Sequence, residues 1–328
     1  MSMIHNNVVL ICDRVENRDG INIFTDTLEF TSPTYFNAIS KSLEELVPKV
    51  YYYNSPEEFI NNIQAHKNDI VISAIWSGVK SRNRKALIAS ICEAYNIKYI
   101  GADTYVQALC QDKQLSKYFC LDTDICVPKG IVISNMSEVY KLKNLEFPVV
   151  IKPNLEGSSI GISDNNIADS YEDTLPIIEL IINEHAPILV EEYIPGVEVA
   201  ACCVGTNNKM DLFEIVKLNL DGDDYQNHRI WGYESKKGGN CIVTRDVITS
   251  KVDDSIKTAI KKLYWSLGKV DYMRIDGRIY NNHFYLIELT PDCSLHPDCF
   301  MMAAFKHNEM TYTDMIEMLL HTAITDDK

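Results

Sequence analysis

The first residues that could do chemistry lie around Lys152. The segment "FPVVIKPNLEGSSIGIS", Phe147 to Ser163, is an apolar run that ends in this lysine and continues into a turn of small residues. A buried ammonium group costs free energy unless an anion meets it. A turn with so little side-chain bulk exposes consecutive backbone N–H groups, which suit phosphate oxygens. We predict a polyphosphate clamp, and a plain hairpin with a surface lysine is the alternative. The clamp residues are Lys152, Glu156, Gly157, Ser158 and Ser159.

A second group of residues stands at the end of a predicted strand, in "ILVEEYIPGVEV". Backbone groups at a junction between strand and turn can hydrogen-bond the edge of an adenine ring, and a carboxylate one turn later can accept from both ribose hydroxyls. The segment therefore predicts a binding site for adenine and ribose. Its residues are Glu191, Glu192, Tyr193, Ile194 and Glu198.

Two later segments, "MRIDGRI" and "FYLIELT", are predicted to be adjacent strands that send Asp276 and Glu288 to the same region. Paired carboxylates suit Mg²⁺, which prefers one or two carboxylates together with substrate phosphates. Arg274 lies two residues before Asp276 and therefore on the same face of the strand. There it could stabilise charge on a transferred phosphoryl group or on an oxyanion. The alternative is a solvated sheet face on which Arg274 is the ion-pair partner of the two acids.

The elements that position these residues fall into three groups along the chain. In the first hundred residues, strand-like runs such as "NVVLIC" and "DIVISAIW" alternate with amphipathic helical patterns, which predicts a parallel sheet covered on both faces. The strands and helices that follow no longer alternate regularly, and the last part of the chain is richer in long strands. We predict three domains, at residues 1–112, 113–195 and 196–328. We expect Pro176 to kink or break the helix that contains it.

The composition limits the class of protein. A chain of 328 residues is long for one compact core, and its 46% hydrophobic and 23% charged residues are ordinary for a globular protein. The net charge of −15 disfavours binding to nucleic acid or to anionic lipid. The first residues lack the pattern of a secretory signal, no apolar run is long enough to span a membrane, and the 10 Cys are scattered. We therefore expect a cytoplasmic protein with reduced thiols.

Taken in chain order, these motifs resemble the ATP-grasp superfamily, and most closely its D-alanine–D-alanine ligases. "FPVVIKPNLEGSSIGIS" is similar to that family's second strand and glycine-rich loop, "VEEYIPGVEV" to its nucleotide hinge, and "RID" and "LIEL" to its magnesium strands. "DKQLSK" and "YESKK" are similar to segments whose lysines, here Lys113 and Lys236, reach the ATP phosphates. The resemblance runs from about Tyr99 to the C-terminus. It implies an α/β protein with an ATP-grasp fold, in which two α+β lobes grip ATP, preceded by a Rossmann-like parallel α/β N-terminal domain.

The resemblance also implies a reaction. Enzymes of this kind use ATP to convert a carboxylate into an acylphosphate, which an amine then attacks to give an amide and phosphate; Arg274 would steady the oxyanion of that attack. The implied cofactors are ATP and Mg²⁺, and the implied partners are amino-acid-like small molecules, with neither nucleic acid nor membrane. A homodimer is left open. The implied catalytic residues are Arg274, Ser158 and Lys236, and the implied metal ligands are Asp276, Glu288 and Thr290.

Two departures from the family pattern lie in the first part of the chain. Where the family has an "S-x-E-x-x-V-S" element that holds the first D-alanine, this chain has "LICDRVENRDGINIFTDTLEF", in which Glu16 alone is comparable. Where the family has "H-G-x-x-G-E-D-G", this chain has "IWSGVKSRNRKAL", with Trp76 predicted to lie in the core or to line a pocket. The cations of this segment could hold an anionic substrate group or could be a solvated helix start. They are Lys80, Arg82, Arg84 and Lys85.

A third departure lies in "ELTPDCSLHPDC", where the family has "E-x-N-T-x-P-G". Thr290 replaces the metal-binding Asn with a weaker ligand, and Asp292 is a candidate to compensate. Cys293 or Ser294 stands where a glycine N–H would help to form the oxyanion hole. Cys293 and His296 are predicted to line the acceptor pocket, unless the thiol is buried and inert.

These departures affect substrate recognition more than the ATP site. We therefore predict a carboxylate–amine ligase (EC 6.3 class) whose substrates are not two D-alanines. One alternative is a D-alanine–D-alanine ligase of peptidoglycan synthesis. The other is an ATP-binding pseudo-ligase or regulatory module.

Overall fold

The computed structural model describes residues 4–14, 24, 31–75, 81–206, 209–237 and 241–325. Glu16, Trp76 and Lys80, to which the sequence draws attention, lie outside these ranges. The described chain forms three β-sheets, which in chain order have four, four and six strands. None of the helices in the described ranges combines the length and the apolar character needed to cross a membrane.

The first sheet is built from the N-terminal strands, all paired in parallel. Its elements are β1 Val8–Cys12, α1 Pro33–Leu46, β2 Val50–Tyr53, α2 Pro56–Asn62, β3 Ile70–Ala74, α3 Leu87–Tyr95 and β4 Lys98–Tyr99. The strand order is β2-β1-β3-β4. Strand β1 is buried on both faces, so its sequence carries no polar alternation. Ser32 and Ser55 cap α1 and α2 through their hydroxyl groups, each directly before a proline. The predicted parallel α/β sheet is confirmed.

The second sheet is antiparallel and has the strand order β5-β8-β6-β7. Its region contains α4 Thr104–Gln111, α5 Lys113–Cys120, β5 Gly130–Ile133, a 3₁₀ helix Met136–Asn144, β6 Val149–Pro153, β7 Ile167–Ala168, α6 Tyr171–His185 and β8 Ile188–Glu192. Helix α6 buries Ile178 and Ile181 against this sheet. Pro176 lies inside α6 without breaking it. The predicted break does not occur because, in a helix of this length, the proline costs the single backbone hydrogen bond to the carbonyl of Glu172.

The third sheet is also antiparallel and has the longest strands. Its region contains β9 Gly196–Thr206, β10 Lys209–Leu220, β11 Tyr225–Gln226, α7 Tyr233–Lys237, β12 Val243–Val247, α8 Asp254–Ser266, β13 Tyr272–Tyr280, β14 His283–Pro291, α9 Phe300–His307 and α10 Tyr312–Thr325. The order is β12-β10-β9-β13-β14, with β11 paired to β9. Cys202 and Cys203 of β9 point to opposite faces, as the sequence predicts, and join two different hydrophobic cores. All ten cysteines are free thiols.

The strand register places the acidic residues side by side. Between β13 and β14, Arg274 is paired with Thr290 and Asp276 with Glu288. In the second sheet, the central strand β8 ends in Glu191 and Glu192. Each sheet falls within one of the three predicted domains, whose boundaries stay a prediction.

Candidate active site

A cavity between the second and third sheets brings most of the predicted nucleotide and metal residues together. We call it the first cavity. Its lining includes Lys113, Lys152, Glu156, Gly157, Ser159, Glu191, Glu192, Tyr193, Ile194, Glu198, Lys236, Arg274, Asp276 and Glu288. Ser158 and Thr290 line an adjoining second cavity of about 600 Å³. Residues from six separate segments therefore meet in one place.

A buried carboxylate bridges two buried lysines in the wall of the first cavity. Glu191 Oε1 lies 2.6 Å from Lys152 Nζ, and its Oε2 accepts a hydrogen bond from Lys117 Nζ. Burial would raise the pKa of Glu191, but the ammonium groups of Lys117 and Lys152 outweigh this effect and lower it. Burial lowers the pKa of Lys117 to about 7, against the attraction of Glu191. Sequence reasoning missed Lys117, although its position one helical turn after Lys113 in α5 was a usable signal.

The glycine- and serine-rich turn is held by both neighbouring lobes. Ser158 and Ser159 adopt left-handed backbone conformations, with φ of 51° and 61°, which are uncommon for residues other than glycine. The Nζ of Lys113 donates a hydrogen bond to the carbonyl oxygen of Glu156. The hydroxyl of Ser159 donates to the carbonyl oxygen of Trp231 at 3.1 Å. These contacts fix the turn against α5 on one side and against the segment before α7 on the other.

An arginine that sequence reasoning missed organises the predicted adenine and ribose segment. Arg278 Nη1 donates to the carbonyl oxygen of Ile194 at 2.7 Å, and its Nε and Nη2 both donate to Oε2 of Glu198, at 3.1 and 2.9 Å. Its guanidinium also lies 4.8 Å from the ring centroid of Tyr193. The signal was present, because Arg278 follows Asp276 by two residues on one strand. Arg278 therefore sets the shape of this end of the cavity.

The other end of the first cavity holds a cluster of charges on β13 and β14. Arg274 donates two hydrogen bonds to Asp276, from Nε to Oδ1 at 2.6 Å and from Nη2 to Oδ2 at 2.8 Å. The hydroxyl of Thr290 donates to Oδ2 of Asp276 at 3.2 Å. Glu288 Oε2 lies 3.5 Å from Lys113 Nζ. Burial raises the pKa of Asp276. For Glu288, burial is outweighed by Lys113 and Arg274, which lower its pKa to about 2.

The basic cluster predicted near α3 is divided in the structure. Arg84 Nη2 lies 2.7 Å from Oε2 of Glu156, so this guanidinium is bound to the glycine- and serine-rich turn. Lys85 lines the second cavity, and Arg82 is exposed. Neither alternative describes the whole cluster, because each cation has its own environment.

The second cavity contains the residues of the third departure. Cys293, Ser294 and His296 all line it. Burial raises the pKa of the Cys293 thiol, so this sulfur stays protonated and is a poor nucleophile. Their assignment to an acceptor pocket stays a prediction.

Asp292 also borders the second cavity but is used in a structural contact. Its Oδ1 accepts a hydrogen bond from the backbone N–H of Ala102 at 2.8 Å, and its Oδ2 accepts one from the side-chain amide of Gln107. Both donors belong to the region of α4. Among the described residues, no group of three His, Cys, Asp or Glu side chains is arranged to hold a metal ion. We therefore do not assign Asp292 as a metal ligand in compensation for Thr290.

The buried position of Asp292 predicts a pH-dependent stability. Burial raises the pKa of Asp292 from 3.8 to about 8, although Ala102 and Lys269 act against this. A carboxyl group with a raised native pKa stabilises the fold fully below about pH 4 and loses this contribution as the pH rises towards 8. Asp292→Asn removes the titration. We expect the variant to gain stability relative to wild type between pH 5 and pH 8, by at most about 1.4 kcal/mol per pH unit.

Urea denaturation at several pH values measures this difference. Asp254→Asn, at an exposed position on α8, is the matched control and should show a constant difference over the same range. A constant difference for Asp292→Asn would mean that the carboxyl is already ionised at pH 5.

The arrangement of two antiparallel lobes around a cavity of lysines and carboxylates defines the ATP-grasp class that the sequence predicts. The family model described as "D-ala D-ala ligase C-terminus" matches residues 129–321, which is more than half of the chain. The chain therefore belongs to the D-alanine–D-alanine ligase family.

Individual proteins of assigned function agree with this result. D-alanine–D-alanine ligase of Thermotoga petrophila is 24% identical over 291 residues, which cover 87% of this chain and 90% of that protein. The vancomycin/teicoplanin A-type resistance protein VanA of Enterococcus faecium is 25% identical over 238 residues, which cover 70% of this chain and 67% of that protein.

Two solved structures share the fold. The D-alanine–D-alanine ligase of Bacillus anthracis complexed with ATP has a TM-score of 0.71 at 17% identity, with 97% of each chain covered. The VanG D-Ala:D-Ser ligase of Enterococcus faecalis has a TM-score of 0.70 at 18% identity, with 98% of this chain and 100% of that chain covered. The predicted ATP-grasp fold and the predicted enzyme class, a ligase that forms C–N bonds, are confirmed. The roles of single residues and of Mg²⁺ stay predictions.

Proposed function

We propose that this protein uses ATP to join two small amino-acid-like substrates through an acylphosphate intermediate. The proposal rests on one observation: three lysines and two carboxylates from separate segments line the same buried cavity. The residues are Lys113, Lys152, Lys236, Asp276 and Glu288. A triphosphate with its cation is a ligand whose charges match this set. The second cavity shares several walls with the first, which leaves room for substrates beside the nucleotide.

We assign the adenosine to the end of the first cavity formed by Glu191 to Ile194 and Glu198. Both hydrogen bonds from Arg278 to Glu198 go to Oε2, so Oε1 is left to accept from a ribose hydroxyl. Tyr193 is held in place because its hydroxyl accepts from the backbone N–H of Arg229 at 3.0 Å. The hinge is therefore rigid before a nucleotide enters, which lowers the entropic cost of binding.

We assign the phosphates to Lys113, Lys152, Lys236 and the turn Glu156 to Ser159. Burial lowers the pKa of Lys236 to about 8, with Arg274 adding to the effect, so most of this lysine is charged at neutral pH. Its Nζ lies 4.1 Å from the ring centroid of Trp231, which steadies the cation without neutralising it.

Asp276, Glu288 and Thr290 fit a magnesium ion. The two acids are paired across neighbouring strands, and the charge of Glu288 adds to burial in raising the pKa of Asp276. A divalent cation would relieve this repulsion. Mg²⁺ takes one or two carboxylates and completes its shell with phosphate oxygens and water, so a third acid is not required. Bound there, the ion would neutralise charge on the terminal phosphates.

The chemistry then needs two displacements. A carboxylate oxygen of the first substrate attacks the γ-phosphorus, and ADP leaves. The amine nitrogen of the second substrate attacks the acyl carbon and loses a proton, and phosphate leaves with the former carboxylate oxygen. Asp276 fixes the plane of the Arg274 guanidinium in advance. We therefore assign Arg274 to the oxyanion of the second step, where a preorganised donor is most effective.

We also propose which class of substrates the enzyme joins. Three of the proteins reported above are named for D-alanine with D-alanine, or for D-alanine with D-serine. They support a D-amino acid as one component. The altered segments at Thr290 to His296 support a second component that differs from D-alanine.

Phosphate release from MgATP tests the proposal. Wild-type protein should release phosphate when a suitable pair from a panel of D- and L-amino acids is added. Loss of an outer-shell partner of a metal site typically lowers activity about 10- to 100-fold. Glu288→Gln removes an assigned metal ligand and should therefore lower kcat/KM by more than this. Glu138→Gln, in a half-buried pair with Lys141 that lies outside both cavities, is the control and should behave as wild type.

Two results would contradict the proposal. Tight ATP binding without phosphate release for any pair would favour an ATP-binding module without ligase activity. Unchanged activity of Glu288→Gln would remove Glu288 from the metal site.

A further inference from the structure

The second cavity has a basic wall that the nucleotide does not account for. Its cationic lining residues are Lys85, Lys113, Lys236, Arg245 and Arg274. Lys113 and Lys236 also line the first cavity, where we assign the phosphates, and Arg274 is bound by Asp276. Arg245 of β12 lines the second cavity but not the first. It is therefore a cation of the substrate space and not of the nucleotide space.

Arg245 is held in place by rings and not by acids. Its guanidinium carbon lies 5.8 Å from the ring centroid of Trp231 and 5.1 Å from that of Phe300. Its Nε is buried and has no hydrogen-bond partner among the described residues. In the part of the chain that the structure describes, no carboxylate lies within ion-pair distance of it. A buried guanidinium donor without a partner is costly, and such a site is satisfied by an anionic ligand.

The acids around the second cavity do not cancel this charge. Both carboxylate oxygens of Asp292 accept hydrogen bonds from the region of α4, from the backbone N–H of Ala102 and from the side-chain amide of Gln107. Asp298 is 80% exposed, and its charge is screened by water. Glu156 is bound by Arg84, and Glu288 lies beside Lys113. The wall that carries Arg245 is therefore positive where a substrate would sit.

We propose that one substrate of this ligase is an amino acid with an acidic side chain, and that Arg245 binds its side-chain carboxylate. This inference rests on the proposed function and names the substrate class of the same site. A planar guanidinium with parallel N–H groups matches a carboxylate in two-point contact. The rings of Trp231 and Phe300 lie beside the guanidinium and restrict its motion before a substrate enters, so little conformational entropy is lost on binding.

Matched ligand pairs test the inference. Glutamate with glutamine and aspartate with asparagine, each as D- and L-isomer, differ chiefly in side-chain charge. Phosphate release from MgATP is measured with each, paired with D-alanine. Binding is measured by calorimetry in the presence of a non-hydrolysable ATP analogue. We expect the acid to be preferred over its amide by about tenfold or more, the value of a charge-assisted hydrogen bond.

Arg245→Gln should remove this preference. We expect kcat/KM for the acidic substrate to fall about 10- to 100-fold, mainly through a higher KM, while the KM for ATP changes less than about twofold, because Arg245 does not line the first cavity. The control is Lys261→Gln on α8, which removes an exposed cation that lies 4.4 Å from the ring of Phe213 outside both cavities. It should leave the preference as in wild type.

Several outcomes would overturn the inference. It fails if the amides bind as well as the acids, if Arg245→Gln weakens acid and amide equally, or if no acidic amino acid binds. An equal loss would place Arg245 at the α-carboxylate that all amino acids share, or in a structural role. Phosphate release with neutral amino acids only would leave the proposed ligase function intact. Acid-selective binding without phosphate release from any pair would instead remove the ligase function and leave the binding site.

Discussion

Replacing Glu191 with glutamine is expected to lower the free energy of unfolding by about 3–5 kcal/mol, the cost of removing one partner from a buried ion pair. Glu191 is 4% exposed, and its carboxylate contacts two ammonium groups, those of Lys117 and Lys152. The amide of glutamine keeps the shape but leaves both cations without a counter-charge in a low-dielectric site. Chemical denaturation at neutral pH measures the loss, and the KM for ATP should rise because Lys152 is no longer held.

Two further variants isolate the cause. Glu138→Gln breaks a half-buried pair with Lys141 at the protein surface and should change the free energy of unfolding by less than about 1 kcal/mol. Lys117→Met in the Glu191→Gln background removes one of the orphaned cations and should restore part of the lost stability. If Glu191→Gln were as stable as wild type, the ion pairs of Glu191 with Lys117 and Lys152 would contribute nothing to the free energy of unfolding.

Replacing Arg274 with lysine is expected to lower kcat by about 10²- to 10³-fold, the effect of losing one preorganised oxyanion donor. Arg274 holds its plane through two hydrogen bonds to Asp276, at 2.6 and 2.8 Å, and also lies 5.3 Å from the ring centroid of Phe300. Lysine keeps the positive charge beside Asp276, so the fold is preserved. Its ammonium group cannot reproduce the planar, parallel N–H donors of a guanidinium. The KM for ATP should change less than about threefold.

Arg229→Lys is the matched control for this substitution. Arg229 pairs with the exposed Asp221 at 2.7 Å and does not line either cavity. Its replacement should leave kcat unchanged. Steady-state phosphate release at saturating ATP measures both variants. A fall in kcat/KM for ATP with an unchanged kcat would place Arg274 in nucleotide binding and not at the reacting carbon.

Much of the site was predictable from local sequence. The turn after Lys152, the Glu-Glu segment at the end of β8 and the Arg-x-Asp spacing on β13 each fix a short-range geometry that a strand or turn imposes. Because strands alternate in side-chain direction, Arg274 and Asp276 had to share a face, and the structure shows them in contact. The order of these motifs was specific enough to indicate the fold.

Local sequence signals pointed to Lys117 and Arg278 themselves, but the remote partners of such residues could not be predicted in this way. Lys117 is 74 positions from Glu191, Arg278 is 80 positions from Glu198, and Asp292 is 190 positions from Ala102. No local spacing encodes such contacts. For the same reason, the basic cluster near α3 looked like one feature in the sequence, whereas the fold gives Arg84, Lys85 and Arg82 three separate environments.

The sequence by itself determined which chemical groups this protein has and how each is presented on its own strand, helix or turn, because backbone geometry acts over a few residues. Only the tertiary structure decided which charges are already paired and which face a cavity. That decision depends on how three sheets pack together, since packing sets both the distance between remote groups and their exclusion from water. Arg245 is the clearest case: as a residue of "VTRDV" it is an ordinary strand arginine, and its place beside Trp231 and Phe300 in the second cavity makes it a candidate for substrate recognition.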